Sequence, residues 1–318
     1  MGRYRRKRRT LLGFMGGILA LLCILVTVAS HTQLPFPMPT WDDIFQKAGL
    51  SESQSVIGGD MEDGISVHII DVGQGESILI KTDGGNVLID AGENDQGSVV
   101  MDYLQSQDVD TIDVLVGTHP HSDHIGGADD IIENMQVKQV MMPDIPDSIM
   151  PTTKTFQDLL TATKDQGLDL TVIEPGDSFD VGGAHFLVLG PLQEYDDLNN
   201  ISAVLKMTYG ERSFLFTGDA EKKAEDDMVA SGEDLSADVL VAGHHGSNTS
   251  SSQEFLNRVN PSLAAISCGE GNDYGHPHEE TLARFAAMGV EVHRTDWEGS
   301  IAFLTDGETI AVETQKAA

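Results

Sequence analysis

The chain has 318 residues with 19 Lys and Arg against 51 Asp and Glu, a formal net charge of −32. That length allows a well-buried core, in one large domain or two small ones. The acidic balance speaks against a polyanion-binding surface built on Lys and Arg, and two cysteines, Cys23 and Cys268, exclude a disulfide framework.

The charge is unevenly spread. Arg3, Arg5, Arg6, Lys7, Arg8 and Arg9 place six of the nineteen basic residues in the first ten positions, so the rest carries thirteen against fifty-one acidic ones, a net of −38. Residues 1–10 therefore read as a basic cytoplasmic segment. Residues 11–28 follow without a charge and with Thr27 as the one hydroxyl side chain. At 1.5 Å per residue this run spans ~27 Å, close to the hydrocarbon thickness of a bilayer. The sequence predicts a transmembrane signal-anchor over 11–30, seated in the cytoplasmic membrane with its positive flank inside and the remainder extracytoplasmic. A cleaved signal peptide, leaving a secreted protein, is the rival: Val28, Ala29 and Ser30 are small, but the apolar run exceeds the roughly 7–15 residues usual for a signal. Residues 31–64, with Pro35, Pro37 and Pro39 and a short amphipathic piece around Trp41 and Phe45, read as a spacer.

From residue 65 short apolar runs rich in β-branched residues recur, at 65–71, 77–82, 86–90, 113–117, 138–142, 170–173, 185–189, 202–209, 212–217, 239–242, 263–267, 290–294, 300–304 and 309–312. Segments with three- and four-residue apolar spacing lie between them, at 98–107, 129–135, 155–166, 220–231, 252–259 and 279–288. Strands early and late with helices interspersed predict an α/β domain over 65–318, with two sheets between helical layers.

The strand 113–117 runs into Thr118-His119-Pro120-His121-Ser122-Asp123-His124-Ile125-Gly126-Gly127, three imidazoles and a carboxylate within six positions. His119 and His121, two apart on extended backbone, can share one ion, while Asp123 and His124 diverge enough to hold a second. A solvated polar loop explains the Asp and Ser but not three of eleven histidines in one place. A second buried strand ends in Thr217-Gly218-Asp219-Ala220, where Asp219 can give one oxygen to each of two cations. A third ends in Gly243-His244-His245-Gly246-Ser247. One of these histidines completes the second ion's shell and the other serves as general acid or oxyanion contact. The spacing leaves open which does which, with His244 taken as the ligand and His245, with Asp123, as the catalytic group. Asn272-Asp273-Tyr274-Gly275-His276-Pro277-His278 precedes a helix; His276 is a candidate ligand, and His278 caps the helix or faces solvent. Cys268, at a strand end, reads as a buried small hydrophobe.

From about Ile65 onward these residues resemble the metallo-β-lactamase superfamily and, within it, the metallo-hydrolase domain of ComEC-type competence proteins. Besides HxHxDH the resemblance rests on Asp71-Val72-Gly73-Gln74-Gly75-Glu76-Ser77, Leu88-Ile89-Asp90-Ala91-Gly92, Asn199-Asn200-Ile201-Ser202, TGDA, HHGS, Arg294-Thr295-Asp296 and Asp306-Gly307. It implies an αββα four-layer sandwich with two divalent ions, zinc or manganese, at one edge of the sheets. It also implies that Asp90 orients the metal loop, with Asn200, Ser202 and Ser247 as supporting or substrate-contacting groups. Many superfamily members place a third histidine for the first metal where this chain has Asn199-Asn200, and an amide oxygen is a poorer zinc ligand than imidazole. One apolar segment also cannot form the translocation channel of ComEC-type proteins.

The function expected is a membrane-anchored, extracytoplasmic phosphodiesterase or nuclease using a metal-activated water. Nucleic acid is the substrate implied by the resemblance, and a small nucleotide or phosphocholine-type diester the one that suits the charge. The contrasting reading is a non-catalytic metal-binding module of a DNA-uptake assembly.

Overall fold

The computed structural model describes Ile57 and residues 64–316. The expected basic segment, the anchor over 11–30 and nearly all of the spacer lie outside the described residues. Among the described residues, no helix is long and apolar enough to cross a membrane.

Seventeen strands follow in chain order: β1 (Ile65–Ile69), β2 (Ile78–Thr82), β3 (Gly85–Ile89), β4 (Thr111–Ile112), β5 (Val114–Val116), β6 (Gln136–Val137), β7 (Val140–Pro143), β8 (Leu170–Ile173), β9 (Ser178–Val181), β10 (Ala184–Gly190), β11 (Val204–Tyr209), β12 (Arg212–Phe216), β13 (Val239–Val241), β14 (Leu263–Ile266), β15 (Glu291–Arg294), β16 (Ile301–Thr305) and β17 (Ile310–Thr314). One sheet runs β17-β16-β1-β2-β3-β5-β7-β8, a second β15-β14-β13-β12-β11-β10-β9, and β4 and β6 form a small pair. The helices are α1 (Gly97–Ser106), α2 (Ser122–Ile125), α3 (Ala128–Asn134), α4 (Lys154–Asp165), α5 (Lys222–Ser231), α6 (Gln253–Val259), α7 (Glu279–Met288) and α8 (Thr295–Glu298).

Strand alternation explains the layering. Val87 and Ile89 of β3 and Val114 and Val116 of β5 point into a core shared with Phe186, Phe214, Phe216 and Phe303, between the two sheets. Their neighbours Leu88 and Leu115 point the other way, onto Leu104, Ile131 and Leu159 of the helices. On the second sheet Leu215 and Leu240 face Met228, Phe255 and Phe285 in the same manner. Both faces of the central strands are therefore buried, which is why their sequences read as unbroken apolar runs. Phe214 and Phe303 meet edge to face at 6.3 Å in the inter-sheet core. Phe214→Ala is expected to lower the unfolding free energy by about 3–5 kcal/mol. A denaturant titration would read this as an earlier midpoint with unchanged slope.

The site is positioned by strand direction. β3, β5, β7 and β8 are parallel in the first sheet, and β12, β13, β14 and β15 in the second. Asp90, the histidine cluster, Asp219 and the HHGS turn follow β3, β5, β12 and β13, so they open from the carboxyl ends of parallel strands, where α/β sheets hold their ligands, while the DVGQG segment follows the antiparallel β1.

Candidate metal centre

Asp90 follows β3 in the left-handed region, φ 57°, a conformation uncommon outside glycine and least costly for Asn and Asp. There its Oδ1 accepts the Thr118 N–H at 2.7 Å, and its Oδ2 accepts the Thr118 hydroxyl at 2.6 Å and His124 Nδ1–H at 2.6 Å. One carboxylate thus fixes the end of β5 and one of the loop's imidazoles. The loop is not a plain connection: residues 122–125 form the helical turn α2, with His121 at its N-cap position. The DVGQG segment lies against this turn. The Glu76 N–H donates to Asp123 O at 2.9 Å, and a Cβ on Gly75, φ 147°, would stand 2.5 Å from that oxygen. Only glycine fits.

The second sheet supplies Asp219, His244 and His245. Ser202 Oγ accepts the Asp219 N–H at 3.0 Å and stands 3.3 Å from His119 Nδ1, joining the two halves of the site. His244 and His245 are consecutive left-handed residues, φ 52° and 53°. Such strain, on the order of 1–3 kcal/mol each, persists only where surroundings over-determine it. Here the His244 N–H donates to Gly218 O at 3.0 Å, and His245 Nδ1–H donates to Ser267 O at 3.0 Å.

Four imidazoles are each tied through Nδ1 and turn Nε2 toward one carboxylate. His124 is tied to Asp90, His245 to Ser267 O, His244 to Glu221 Oε1 at 3.2 Å, and His119 to the hydroxyls of Thr118 and Ser202 at 3.2 and 3.3 Å. Asp219 Oδ1 then lies 3.1 Å from His124 Nε2 and 3.7 Å from His245 Nε2. Its Oδ2 lies 3.7 Å from His119 Nε2 and 3.6 Å from His244 Nε2. His121 Nδ1 is 2.9 Å from His119 Nε2, and Asp123 Oδ2 is 3.2 Å from His245 Nε2. Two donors of one tetrahedral zinc lie about 3.4 Å apart, given bonds of 2.0–2.1 Å. The separations here bracket that value, so the donors fit two cations. One set is His119, His121 and Asp219; the other is Asp123, His124, His245 and Asp219. Neither His124 Nε2 nor Asp219 Oδ1 has a hydrogen-bond partner, although both are buried. Orphaned groups of this kind point to something that satisfies both.

The electrostatics agree. Burial alone would raise Asp219, but the imidazoles of His124, His245 and His119 outweigh it and hold the carboxyl well below its ordinary range. Against burial, the His245 hydrogen bond and the His124 charge likewise lower Asp123. Burial opposes protonation of His124, yet Asp219 and Asp90 carry it well above an ordinary imidazole. Burial, then His124, pushes His119 well below. Glu76, fully buried beside Asp90 and His124, is pushed up to about 7, chiefly by burial. Buried carboxylates gathered around imidazoles are costly unless cations accompany them.

His119, His121, Asp123, His124, Asp219, His244 and His245 come together here, with Asp90 and Ser202 behind them. The two histidines of the HHGS turn, whose roles the sequence leaves open, take different places in the structure. His245, expected in acid–base work, belongs to a donor set; His244, expected on the metal, is outside both sets. Its Nε2 nevertheless faces the Asp219 oxygen of the first set, on the side that lacks a third imidazole. Three other expected residues lie outside the two donor sets. Asn200 has a supporting place: its Oδ1 accepts the N–H groups of Glu221 and Ala224 at 3.2 and 3.0 Å, capping α5. Asn199 faces the cleft instead. Ser247 is turned into its own loop, with Oγ 3.0 Å from Thr249 Oγ1. His276 lies outside both donor sets, its ring 5.5 Å from that of His244. His278 stands at the N-cap of α7, but its Nδ1 accepts the Asn248 N–H at 2.9 Å and so braces the HHGS turn. Cys268 is buried and free.

Sequence reasoning missed Glu76, Gln74, Glu221 and Tyr274. The DVGQGES motif contained two of them; the partners of Glu221 and Tyr274 are set by tertiary packing. A cleft of about 450 Å³ opens over the donors, lined also by Gln74, Glu93, Asn199, Tyr274 and His276.

A family model described as the metallo-beta-lactamase superfamily matches residues 70–270. The ComE operon protein 3 of Bacillus subtilis (strain 168) is 32% identical over 256 residues, covering 74% of this chain and 32% of that protein. The competence protein ComA of Neisseria gonorrhoeae is 32% identical over 250 residues, covering 76% and 32%. The chain thus spans about a third of the length of these curated relatives. Among solved structures, the metallo-beta-lactamase fold protein YhfI from Bacillus subtilis superposes with a TM-score of 0.52 at 15% identity, covering 76% of this chain and all of that one. The αββα sandwich expected from the motifs, and their resemblance to ComEC-type competence proteins, are both met by these matches.

Proposed function

We propose a function from the premise that this chain belongs to the metallo-β-lactamase superfamily: it is a metal-dependent hydrolase of phosphodiester bonds, of the ComEC type, held outside the cytoplasmic membrane by residues 11–30. The observation that carries the reading is the Asp219 carboxylate, each oxygen of which faces its own set of imidazoles. In this proposal His119, His121 and Asp219 hold one divalent cation, and Asp123, His124, His245 and Asp219 a second, zinc or manganese. Such cations supply Lewis-acid polarisation of the phosphoryl group and lower the pKa of water near it.

The chain's own residues do the rest. Asp90 keeps the His124 proton on Nδ1 and so leaves Nε2 free to ligate. Ser202 fixes the Asp219 backbone and His119 together. Asp123, at the cleft surface, accepts a proton from the attacking water and holds that water in line. His244 presents Nε2 to the cleft, with Nδ1 held by Glu221, and is placed to hold a phosphoryl oxygen or to give a proton to the departing oxygen.

The test is hydrolysis of bis-p-nitrophenyl phosphate by the purified full chain with Mn²⁺ or Zn²⁺. Metal binding without turnover for any divalent cation would point to a non-catalytic module of a DNA-uptake assembly. Asp90→Asn keeps the side-chain size and a residue that tolerates φ 57°, but removes the charged acceptor for His124. It is expected to weaken metal affinity about 10–100-fold with the fold intact, as read by competition with a chromogenic chelator.

The charge favours a small diester over a long strand. Among the described residues, none that lines the cleft is Lys or Arg. Most cations elsewhere are engaged: Lys138 with Asp113, Lys206 with Asp234, Arg212 with Asp238, and Arg294 with Asp296.

A further inference from the structure

One wall of the cleft is an aromatic stack that the hydrolytic chemistry does not use. Tyr274 is 66% exposed, among the most exposed large hydrophobic side chains in the described part of the molecule, yet it lines the cleft. Its ring lies nearly parallel to His276, at 21° and 5.6 Å between centroids. His276 is in turn buttressed edge-on by His244 at 5.5 Å and His278 at 4.9 Å. Asn272 fastens the loop that carries both rings: its Nδ2 donates to Gly269 O at 2.9 Å and His276 O at 2.6 Å, and its Oδ1 accepts the Tyr274 and His276 N–H groups at 3.2 and 3.0 Å. The ring is thus exposed and held at once. A flat aromatic face kept open to water on a braced loop costs free energy that a stacking partner would recover.

A phosphodiester at Asp219 carries a substituent on each ester oxygen, and with no Lys or Arg among the described residues of the cleft wall the adjoining phosphates of a strand find no counter-charge there. The group the wall can take is planar and uncharged. We propose that Tyr274 is the base-stacking residue of a nucleoside subsite, so that the cleft selects a single nucleoside phosphodiester unit by stacking and not by a phosphate clamp. This rests on the phosphodiesterase reading for the bond that is cut, but the subsite itself does not. The unit is the same whether it ends a strand or belongs to a free small nucleotide.

The full chain, loaded with Mn²⁺, is compared on thymidine 5′-(p-nitrophenyl phosphate) and methyl p-nitrophenyl phosphate. In both, water adds to phosphorus and p-nitrophenolate leaves, so the ratio of kcat/KM values reports the nucleoside alone. The ratio is expected to favour the thymidine ester, to fall about tenfold in Tyr274→Ala, and to survive in Tyr274→Phe, since stacking needs the ring and not the hydroxyl. A ratio unchanged in Tyr274→Ala overturns the proposal. If neither diester is cleaved, the phosphodiesterase reading falls, and calorimetric binding of thymidine 5′-phosphate decides the subsite: about tenfold weaker in Tyr274→Ala supports it, equal affinity overturns it. Dithymidylate and a twenty-residue oligothymidylate across a salt series separate the two sources. Flat salt dependence with the oligomer preferred makes a strand end the source, and flat dependence with the dimer equal or preferred makes it a free nucleotide. A slope approaching −0.7 per contacted phosphate would mean a strand held along its backbone, against the proposal.

Discussion

Asp219→Ala is expected to abolish hydrolysis of bis-p-nitrophenyl phosphate, with a loss of at least about 10³-fold in kcat/KM, and to reduce bound metal from two ions per chain to one or fewer. The size follows from position. Both donor sets that meet at Asp219 depend on this carboxylate, so its removal would take a ligand from both cations at once, whereas His121→Ala would take one from the first set alone. The loss should not be one of folding. Asp219 is buried, but it packs no apolar core, and its backbone N–H keeps the Ser202 hydroxyl as acceptor in the variant. Metal content by chelator titration, kinetics, and a circular-dichroism melt of the metal-free variant separate the outcomes. A variant that binds two ions and turns over within tenfold of the parent would refute Asp219 as the shared ligand.

The legibility of this site in the sequence follows the range of its interactions. His119, His121, Asp123 and His124 sit within six positions, so local spacing exposes them as donors. The strands around them are short and apolar on both faces, and the sandwich was readable for the same reason. What sequence spacing cannot show is which way a side chain turns once two sheets pack. Asn199 and Asn200 are adjacent, yet one faces the cleft and the other caps a helix, because α5 begins just above the second. His244 and His245 part because both sit in left-handed backbone, where strand alternation no longer predicts direction. β9 was unread, being four residues at a sheet edge with alternating exposure and no apolar run. His68 shows the converse: a fully buried histidine with no part in the site, its ring 2.9 Å from the Tyr103 hydroxyl and 2.7 Å from Ser66.

Removing metal is expected to lower the melting temperature of the full chain by about 8–16 °C. A ligand at a thousand times its Kd stabilises the folded state by about 4 kcal/mol, and each kcal/mol moves the midpoint of a domain of this size by about 2–4 °C. The origin of the effect is the site's charge. Without cations, Asp219 and Asp123 are kept ionised by whatever protons His124 and His245 retain, and His124 Nε2 and Asp219 Oδ1 lie buried 3.1 Å apart without an aligned hydrogen bond. Cations bound there would replace those protons and satisfy both atoms. The sign of the pH dependence follows. Despite burial, Asp219 and Asp90 raise His124 well above an ordinary imidazole, so in the metal-free protein this ring holds its second proton more tightly than a free imidazole does and must lose it to ligate. Metal affinity therefore rises with pH, and protons are released on binding. In the metal-free protein the stability contributed by protonated His124 is fully present below the unfolded imidazole pKa and fades as pH climbs through the raised folded value. Both trends widen the gap between loaded and stripped protein as pH increases from 6 to 8. Melts with Zn²⁺ or Mn²⁺ and with excess chelator across that range measure it. Curves that coincide within about 2 °C at every pH would mean that the donors around Asp219 hold no structural cation.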